Sequence, residues 1–347
     1  MARKLAVVLF NLGGPDSPEA VKPFLYNLFN DPAIISVPWP VRPLLARLIS
    51  SRRAPVAREI YAEIGGRSPL VPLTEEQAET LAAAIGESGE GEAKVFIAMR
   101  YWHPMADETA RFVKAYGPDE IVLLPLYPQF STTTTGSSVK DWKRAAQVAG
   151  LDVPTRTVCC YPLEEGWIAA QADLLRQAIR KSGEGPVRVL FSAHGLPKKV
   201  IASGDPYQWQ VEQTSAAVAE AVGADMPEWV VCYQSRVGPL EWIGPSTEDE
   251  IARAGADGVG LVVVPIAFVS EHSETLVELD IEYAELAAHK GVASYVRVPA
   301  VATHSSFVAG LARVVGEVRG RAAGSVCPNG GRRICPAVHG RCPATQV

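Results

Sequence analysis

Two histidines and a file of carboxylates are the groups in this chain best suited to chemistry. His194 stands in the turn Ser192–Pro197 (SAHGLP), directly after the apolar run Val189–Phe191, and His272 stands in Ser270–Glu274 (SEHSE), directly after the Val-rich run Gly260–Phe268. Such runs read as strands covered on both faces of a parallel sheet. Ligands of open α/β sheets bind just beyond the carboxyl ends of those strands, which is where both imidazoles fall. Downstream, Glu271, Glu274, Glu278, Glu282 and Glu285 recur on one helical face, while Leu276, Leu279, Tyr283 and Leu286 form an apolar stripe on another. Like charges at that spacing cost a helix roughly 0.2–0.5 kcal/mol per pair. Taken singly, the acidic face has an ordinary explanation as a solvated surface, and each histidine as a packing residue. Two imidazoles past strand ends, with Glu274 and Glu278 one turn apart beside them, point instead to a site that handles protons or cations.

Positioning those loops requires strands alternating with helices. Val8–Pro15 (VLFNLGGP) resembles Val189–Pro197 (VLFSAHGLP), and Ile121–Ser131 (IVLLPLYPQFS) resembles Leu261–Ser270 (LVVVPIAFVS), in the same order but at unequal offsets. The repetition predicts an α/β protein of two similar halves, their functional loops facing each other across a cleft. The halves are expected at residues 1–153 and 154–319, followed by a cysteine-bearing extension at 320–347 that cannot build a core of its own. Strands are expected at Leu5–Phe10, Ala93–Met99 and Glu120–Leu126 in the first half, and at Arg156–Cys160, Val187–Ser192, Trp229–Tyr233, Gly260–Ile266 and Ser294–Val298 in the second. Helices fill the spaces, among them Pro55–Ile64, Thr74–Ile85 opening on a Thr74/Gln77 capping box, and Glu274–His289; Gly86–Gly91 reads as a surface loop. Residues 37–49 (VPWPVRPLLARLI) are apolar, broken by three prolines and punctuated by Arg42 and Arg47. One reading is a buried connection. The other, favoured because proline opposes a regular helix or strand, is an apolar lip with snorkelling arginines that touches a membrane or admits a greasy ligand.

Composition narrows the classes. A chain of 347 residues with 48% hydrophobic and 20% charged content and a net charge of −5 is globular and offers no basic surplus for nucleic acid. Asn11 and Gly13 interrupt the first apolar run, so it reads as a strand and not a signal peptide, and no apolar run approaches the ~18 residues of a spanning helix. A cytoplasmic location is expected. The six cysteines, at 159, 160, 232, 327, 335 and 342, are therefore not read as a disulfide framework.

Eight ordered motifs carry a resemblance to the ferrochelatases, which insert ferrous iron into a porphyrin in haem synthesis. They are NLGGP at Asn11–Pro15, GGRSPL at Gly65–Leu70, MRYWHP at Met99–Pro104, LYPQFSTTTTGSS at Leu126–Ser138, FSAHGLP at Phe191–Pro197, GDPY at Gly204–Tyr207, YQSRVGPLEWIGP at Tyr233–Pro245 and PIAFVSEHSETLVELDIEY at Pro265–Tyr283. The resemblance implies two Rossmann-like, chelatase-type halves with parallel sheets and the porphyrin clamped in the cleft. It implies His194 as acceptor of the pyrrole protons, Glu274 and Glu278 as an acidic track for protons leaving or iron arriving, and His194 and Glu274 as contacts of the substrate Fe²⁺. His272 is the other candidate for delivering the metal, since imidazole and carboxylate both suit that ion. Trp242 and Tyr101 offer flat surfaces to the ring, Arg100 a partner for a propionate, and Leu12, Leu70 and the 37–49 lip an apolar wall; for each of these, core packing is the competing role.

Some members of the family hold a [2Fe-2S] cluster on three cysteines of a C-terminal extension plus one internal cysteine. Here Cys327, Cys335 and Cys342 supply the three, at wider spacing than in the animal enzymes, and the internal position matches Ala170. The fourth thiolate then comes from Cys159 or Cys160, and Cys232 is a core residue. Zinc and unligated tail thiols are the second and third readings. Protoporphyrin IX is the expected substrate, with coproporphyrin III, another metal and tetrapyrrole, or a non-catalytic haem carrier as alternatives. The resemblance also suggests peripheral contact with the inner face of the membrane, and the cluster-bearing relatives a homodimer.

Overall fold

The computed structural model describes residues 3–87, 92–236, 238, 240–328 and 330–344. Among them the strands are β1 Lys4–Asn11, β2 Glu92–Met99, β3 Glu120–Pro125, β4 Thr155–Val158, β5 Val187–His194, β6 Glu228–Gln234, β7 Gly260–Pro265, β8 Tyr295–Arg297 and β9 Gly324–Val326. The chain divides into two compact units, one of residues 1–160, 311–333 and 343–347, the other of residues 161–310 and 334–342.

The first unit holds a parallel sheet in the order β2-β1-β3-β4-β9. Leu5 to Leu9 are wholly buried, as a strand with helices on both faces requires. Ala6, Val8 and Phe10 pack with Ile121 and Leu123 against Ala110, Val113, Trp142 and Ala145, each buried Val or Leu contributing about 1.5–3 kcal/mol. The second unit holds a parallel sheet in the order β6-β5-β7-β8. Its central strands β5 and β7 are equally buried, with Val189, Phe191, Val262 and Val264 in one core cluster and Leu190, Leu261 and Val263 in another. Strand order reverses between β1 and β3 in the first sheet and between β5 and β7 in the second. Such reversals open the crevice in which open α/β sheets bind ligands.

Several expected elements differ. The strand after Pro154 was expected to open the second half; instead β4 extends the first sheet, pairing with β3 through Ile121–Thr155 to Leu123–Thr157. The extension after Gly320 lends β9 to the edge of that sheet beside β4, so a segment without its own core is stabilised by a ladder. Residues 37–49 are not irregular throughout: one helix runs Val41–Ala62 with Pro55 inside it. Pro43 falls in its first turn, where a backbone N–H has no helical partner to lose. Thr74 caps nothing, because the helix begins at Leu70 and runs to Glu87; its buried hydroxyl donates to Leu70 O at 2.6 Å and accepts from Asn11 Nδ2 at 3.0 Å. Gly86 lies in the last turn of that helix, and 88–91 of the expected loop lie outside the described residues. The acidic helix is not regular either: Glu274–Glu282 forms a π-helix that continues as the α-helix Tyr283–His289.

Candidate active site

His194 is the last residue of β5, and the segment following β7 delivers His272 and Glu274. The two loops flank the switch point of the second sheet. His194 Nε2 lies 3.8 Å from Glu274 Oε1, with the side chains 38% and 30% exposed. On the other side of the ring, Nδ1 is 2.6 Å from Gly195 O. A carbonyl only accepts, so Nδ1 carries a proton and Nε2 is the nitrogen directed toward Glu274. A carboxylate so placed can balance a proton taken up at Nε2.

His272 has the opposite arrangement. Its Nδ1 accepts from Glu274 N at 3.0 Å, its backbone N–H donates to Thr275 Oγ1 at 3.0 Å, and its ring meets Phe268 edge-on at 4.7 Å. Burial holds its pKa below the usual imidazole value, although Glu274 and Glu271 pull the other way. The neutral ring thus has its lone pair occupied and secures the start of the π-helix.

Glu278 is anchored by Gln234 Nε2 at 3.0 Å, Ser235 N at 2.8 Å, Ser235 Oγ and Tyr283 OH at 3.0 Å. Burial, then repulsion from Glu274, raises its pKa above the usual carboxylate value. The i→i+5 bonding of a π-helix widens each turn, so residues four apart lie more nearly in register, and Glu274 and Glu278 share a row. Arg297 braces the row from β8, donating to Glu271 Oε1 at 2.5 Å and to Asp280 Oδ1 at 2.7 Å.

Gln234 and Ser235 received no roles from sequence, and Tyr283 was read only as part of the apolar stripe, not as a donor to Glu278. Gln234 also accepts from Ser192 Oγ at 2.8 Å and donates to Glu274 O at 3.0 Å, so it joins β5, β6 and the π-helix. Ser235 adopts φ +60°, a conformation rare outside glycine that marks functional backbone. The available signal was polar Gln-Ser directly after the apolar end of β6. Trp242 lies near the histidine turn, its Cε3 3.3 Å from where a Cβ on Gly195 would stand. It also lines an open depression of about 420 Å³ with Arg236, Leu240, Ser246 and Glu248. Val237 and Pro239 of the same motif lie outside the described residues.

In the first unit, Arg100 and Tyr101 follow β2 and converge on Asp31, which sequence gave no part. Buried Asp31 Oδ2 accepts from Arg100 Nη2 at 2.8 Å, from Tyr101 OH at 2.8 Å and from Ser137 Oγ. Arg100 Nε also donates to Ser137 Oγ at 2.7 Å. Tyr101 is 1% exposed, and burial followed by the Asp31 charge raises its phenol pKa well above normal. A ring so enclosed offers no face to a ligand, which corrects the expectation for Tyr101. Leu70, at 2% exposed, is likewise core and not wall. Leu12 is half-buried against the cluster containing Val21, Phe24 and Tyr101.

Cys159 and Cys160, just past β4, meet Cys327, just past β9. Cys159 Sγ lies 3.2 Å from Cys160 Sγ and 3.1 Å from Cys327 Sγ, far beyond a disulfide's ~2.05 Å. All three are buried and their ligand atoms fall within 4.8 Å of one another. Hydrogen bonds with Cys159 and Cys327, then burial, push the Cys160 thiol up. Converging buried sulfurs of this kind suit a thiophilic metal or an iron–sulfur cluster. Cys335 and Cys342 belong to the second unit and are also buried, with Gln210 Nε2 donating to Cys335 Sγ at 3.1 Å. Cys232, on β6, is core; burial raises its thiol to about 12.

The sheets resemble those of solved chelatases. Sirohydrochlorin chelatase SirB from Bacillus subtilis subspecies spizizenii, in complex with cobalt, matches at TM-score 0.51 with 11% identity, covering 91% of this chain and 94% of that one. SirB from Bacillus subtilis with Fe3+ matches at TM-score 0.50 with 13% identity, covering 92% and 99%. In sequence, the chain is 58% identical to a ferrochelatase of Caulobacter vibrioides over 100% of this chain and 99% of the relative. It is 57% identical to one of Phenylobacterium zucineum over 98% and 97%. With the ferrochelatase family model matching residues 4–318, the chain belongs to the ferrochelatase family of metal-chelating enzymes.

Proposed function

We propose that the protein inserts Fe²⁺ into protoporphyrin IX to give protohaem, with His194 as the proton acceptor. The observation that carries this is the free Nε2 of His194 facing Glu274 at 3.8 Å while Nδ1 is tied to Gly195 O. Metal entry releases two pyrrole protons. His194 takes a proton at Nε2, the Glu274 carboxylate stabilises the imidazolium, and Glu278, its pKa raised by burial and by Glu274, passes it on. Glu274 also contacts the arriving iron. Arg100, with one edge on Asp31, reaches a propionate, and Trp242 lies against the macrocycle. His272 positions Glu274 through its backbone. Anaerobic incubation with Fe²⁺ and protoporphyrin IX should replace the porphyrin absorbance with that of haem; faster conversion of coproporphyrin III would overturn the substrate assignment.

Cys327, Cys335, Cys342 and either Cys159 or Cys160 would hold a [2Fe-2S] cluster. When bound, such a cluster supplies a one-electron redox centre and ties the tail to the end of β4. The buried thiols of Cys159, Cys160 and Cys327 converge, which supports Cys327 together with Cys159 or Cys160; Cys335 and Cys342 are not part of that group and enter from the family resemblance.

Membrane contact is proposed through the 37–49 lip. No helix among the described residues is long and apolar enough to cross a membrane. Trp39 is 77% exposed, and Val41, Leu44 and Leu48 are exposed at helical spacing, with Arg47 beside them. An apolar stripe with a flanking cation suits the surface of an anionic bilayer. The double variant Trp39→Glu/Leu44→Glu should lose co-sedimentation with anionic vesicles, and retention would refute the contact. Location at the inner face of the membrane accompanies this proposal, and homodimeric assembly is proposed from the resemblance to cluster-bearing ferrochelatases.

A further inference from the structure

The GDPY segment Gly204–Tyr207 and the tail stretch Ile334–Cys342 take no part in the steps above, yet both connect to His194 within the second unit. Arg341 N donates to Gly204 O at 3.1 Å and Arg341 Nε to Ser203 O at 3.4 Å. Gly204 has φ +96°, and a Cβ there would stand 3.0 Å from Gly340 N, so glycine allows the two backbones to meet. The Trp209 ring lies 5.8 Å from that of His339, and Gln210 holds Cys335. The tail is therefore docked along Ser203–Gln210.

That segment also faces the active site. Tyr207, 7% exposed, donates its backbone N–H to Asp205 Oδ1 at 3.0 Å and its hydroxyl to His194 O at 3.1 Å. The imidazole is in turn tied to the next carbonyl, Gly195 O, so the backbone at 194–195 sets the direction of Nε2. A hydroxyl fixing that backbone fixes the base.

We propose that Tyr207 is a positioning residue for His194, and that the docked tail Ile334–Cys342 holds Tyr207 in place, so that the C-terminal extension sets the aim of the proton acceptor. The proposal rests on the reading of His194 as that acceptor and not on what the cysteines bind. The docked stretch contains Cys335 and Cys342, so two proposed cluster ligands and the base share one structural unit.

The test uses the full chain. Tyr207→Phe should lower kcat about tenfold, the scale of a small misplacement of a catalytic group, with KM for porphyrin changed less than about twofold. It should also shift the His194 ring Cε1–H NMR resonance, assigned with His194→Gln. Gly204→Val and Trp209→Leu should act in the same direction. Neither should add to the loss already seen in Tyr207→Phe, as expected of residues on one path; where Gly204→Val does not fold, Trp209→Leu carries the comparison. An unchanged kcat and unchanged His194 resonance in Tyr207→Phe would overturn the proposal, as would full additivity of Gly204→Val or Trp209→Leu with Tyr207→Phe. The resonance reports the latch independently of turnover, so a failure of the His194 assignment, read from His194→Ala, is seen separately.

Discussion

Alanine at His194 is expected to reduce iron insertion by about 10²–10⁴-fold, the range contributed by a positioned general base, while porphyrin binding followed by fluorescence changes little. The expectation follows from the ring's two nitrogens. Nδ1 is committed to Gly195 O, leaving Nε2 as the acceptor, and Glu274 at 3.8 Å stabilises the charged form. Nearby groups are engaged elsewhere: His272 Nδ1 is occupied by Glu274 N, and the Glu278 carboxylate accepts from Gln234, Ser235 and Tyr283. Glu274→Gln should likewise suppress insertion yet leave binding of finished haem intact. A haem carrier needs an axial ligand but no carboxylate, so an unimpaired Glu274→Gln enzyme, or normal conversion by His194→Ala, would refute the assignment.

Serine at Cys327 is expected to abolish the charge-transfer absorption and acid-labile sulfide of the proposed [2Fe-2S] cluster. Cys327 is brought 3.1 Å from Cys159 by the β4–β9 pairing, in which Val158 lies opposite Val326 and Cys159 N donates to Val326 O. Serine is a harder, poorer ligand for iron of this kind. Cys159 Sγ touches both other sulfurs, so Cys159→Ser should cost more of the chromophore than Cys160→Ser. Persistence of the spectrum and sulfide in Cys327→Ser would remove this cysteine as a ligand. Zinc in place of iron in the purified protein would replace the cluster reading by a zinc site.

Apolar runs covered on both faces leave an uninterrupted signature, which is why β1, β3, β5 and β7 were legible to within about two residues at their ends. A polar burst after such a run was enough to single out His194, His272 and Glu274. Proline content misled at 37–49, because proline disrupts a helix interior but not its first turn, and the helix Val41–Ala62 accommodates Pro55 as well. Thr74 and Gln77 matched the local pattern of a cap, but both are buried inside a helix that starts four residues earlier, at Leu70.

The sequence by itself determined the alternation of strands and helices, the loops that carry the imidazoles, and the family, since these depend on local runs and ordered motifs. Tertiary structure alone decided the tautomers of His194 and His272, the anchoring of Glu278 by Gln234 and Ser235, the burial of Tyr101 under Asp31, and the meeting of Cys159 with Cys327. Asp31 and Ser137 are 106 residues apart in the chain, and Cys159 and Cys327 are 168 apart. Contacts so distant leave no periodic trace: they arise from which strands pair and which side chains the sheet brings to one edge.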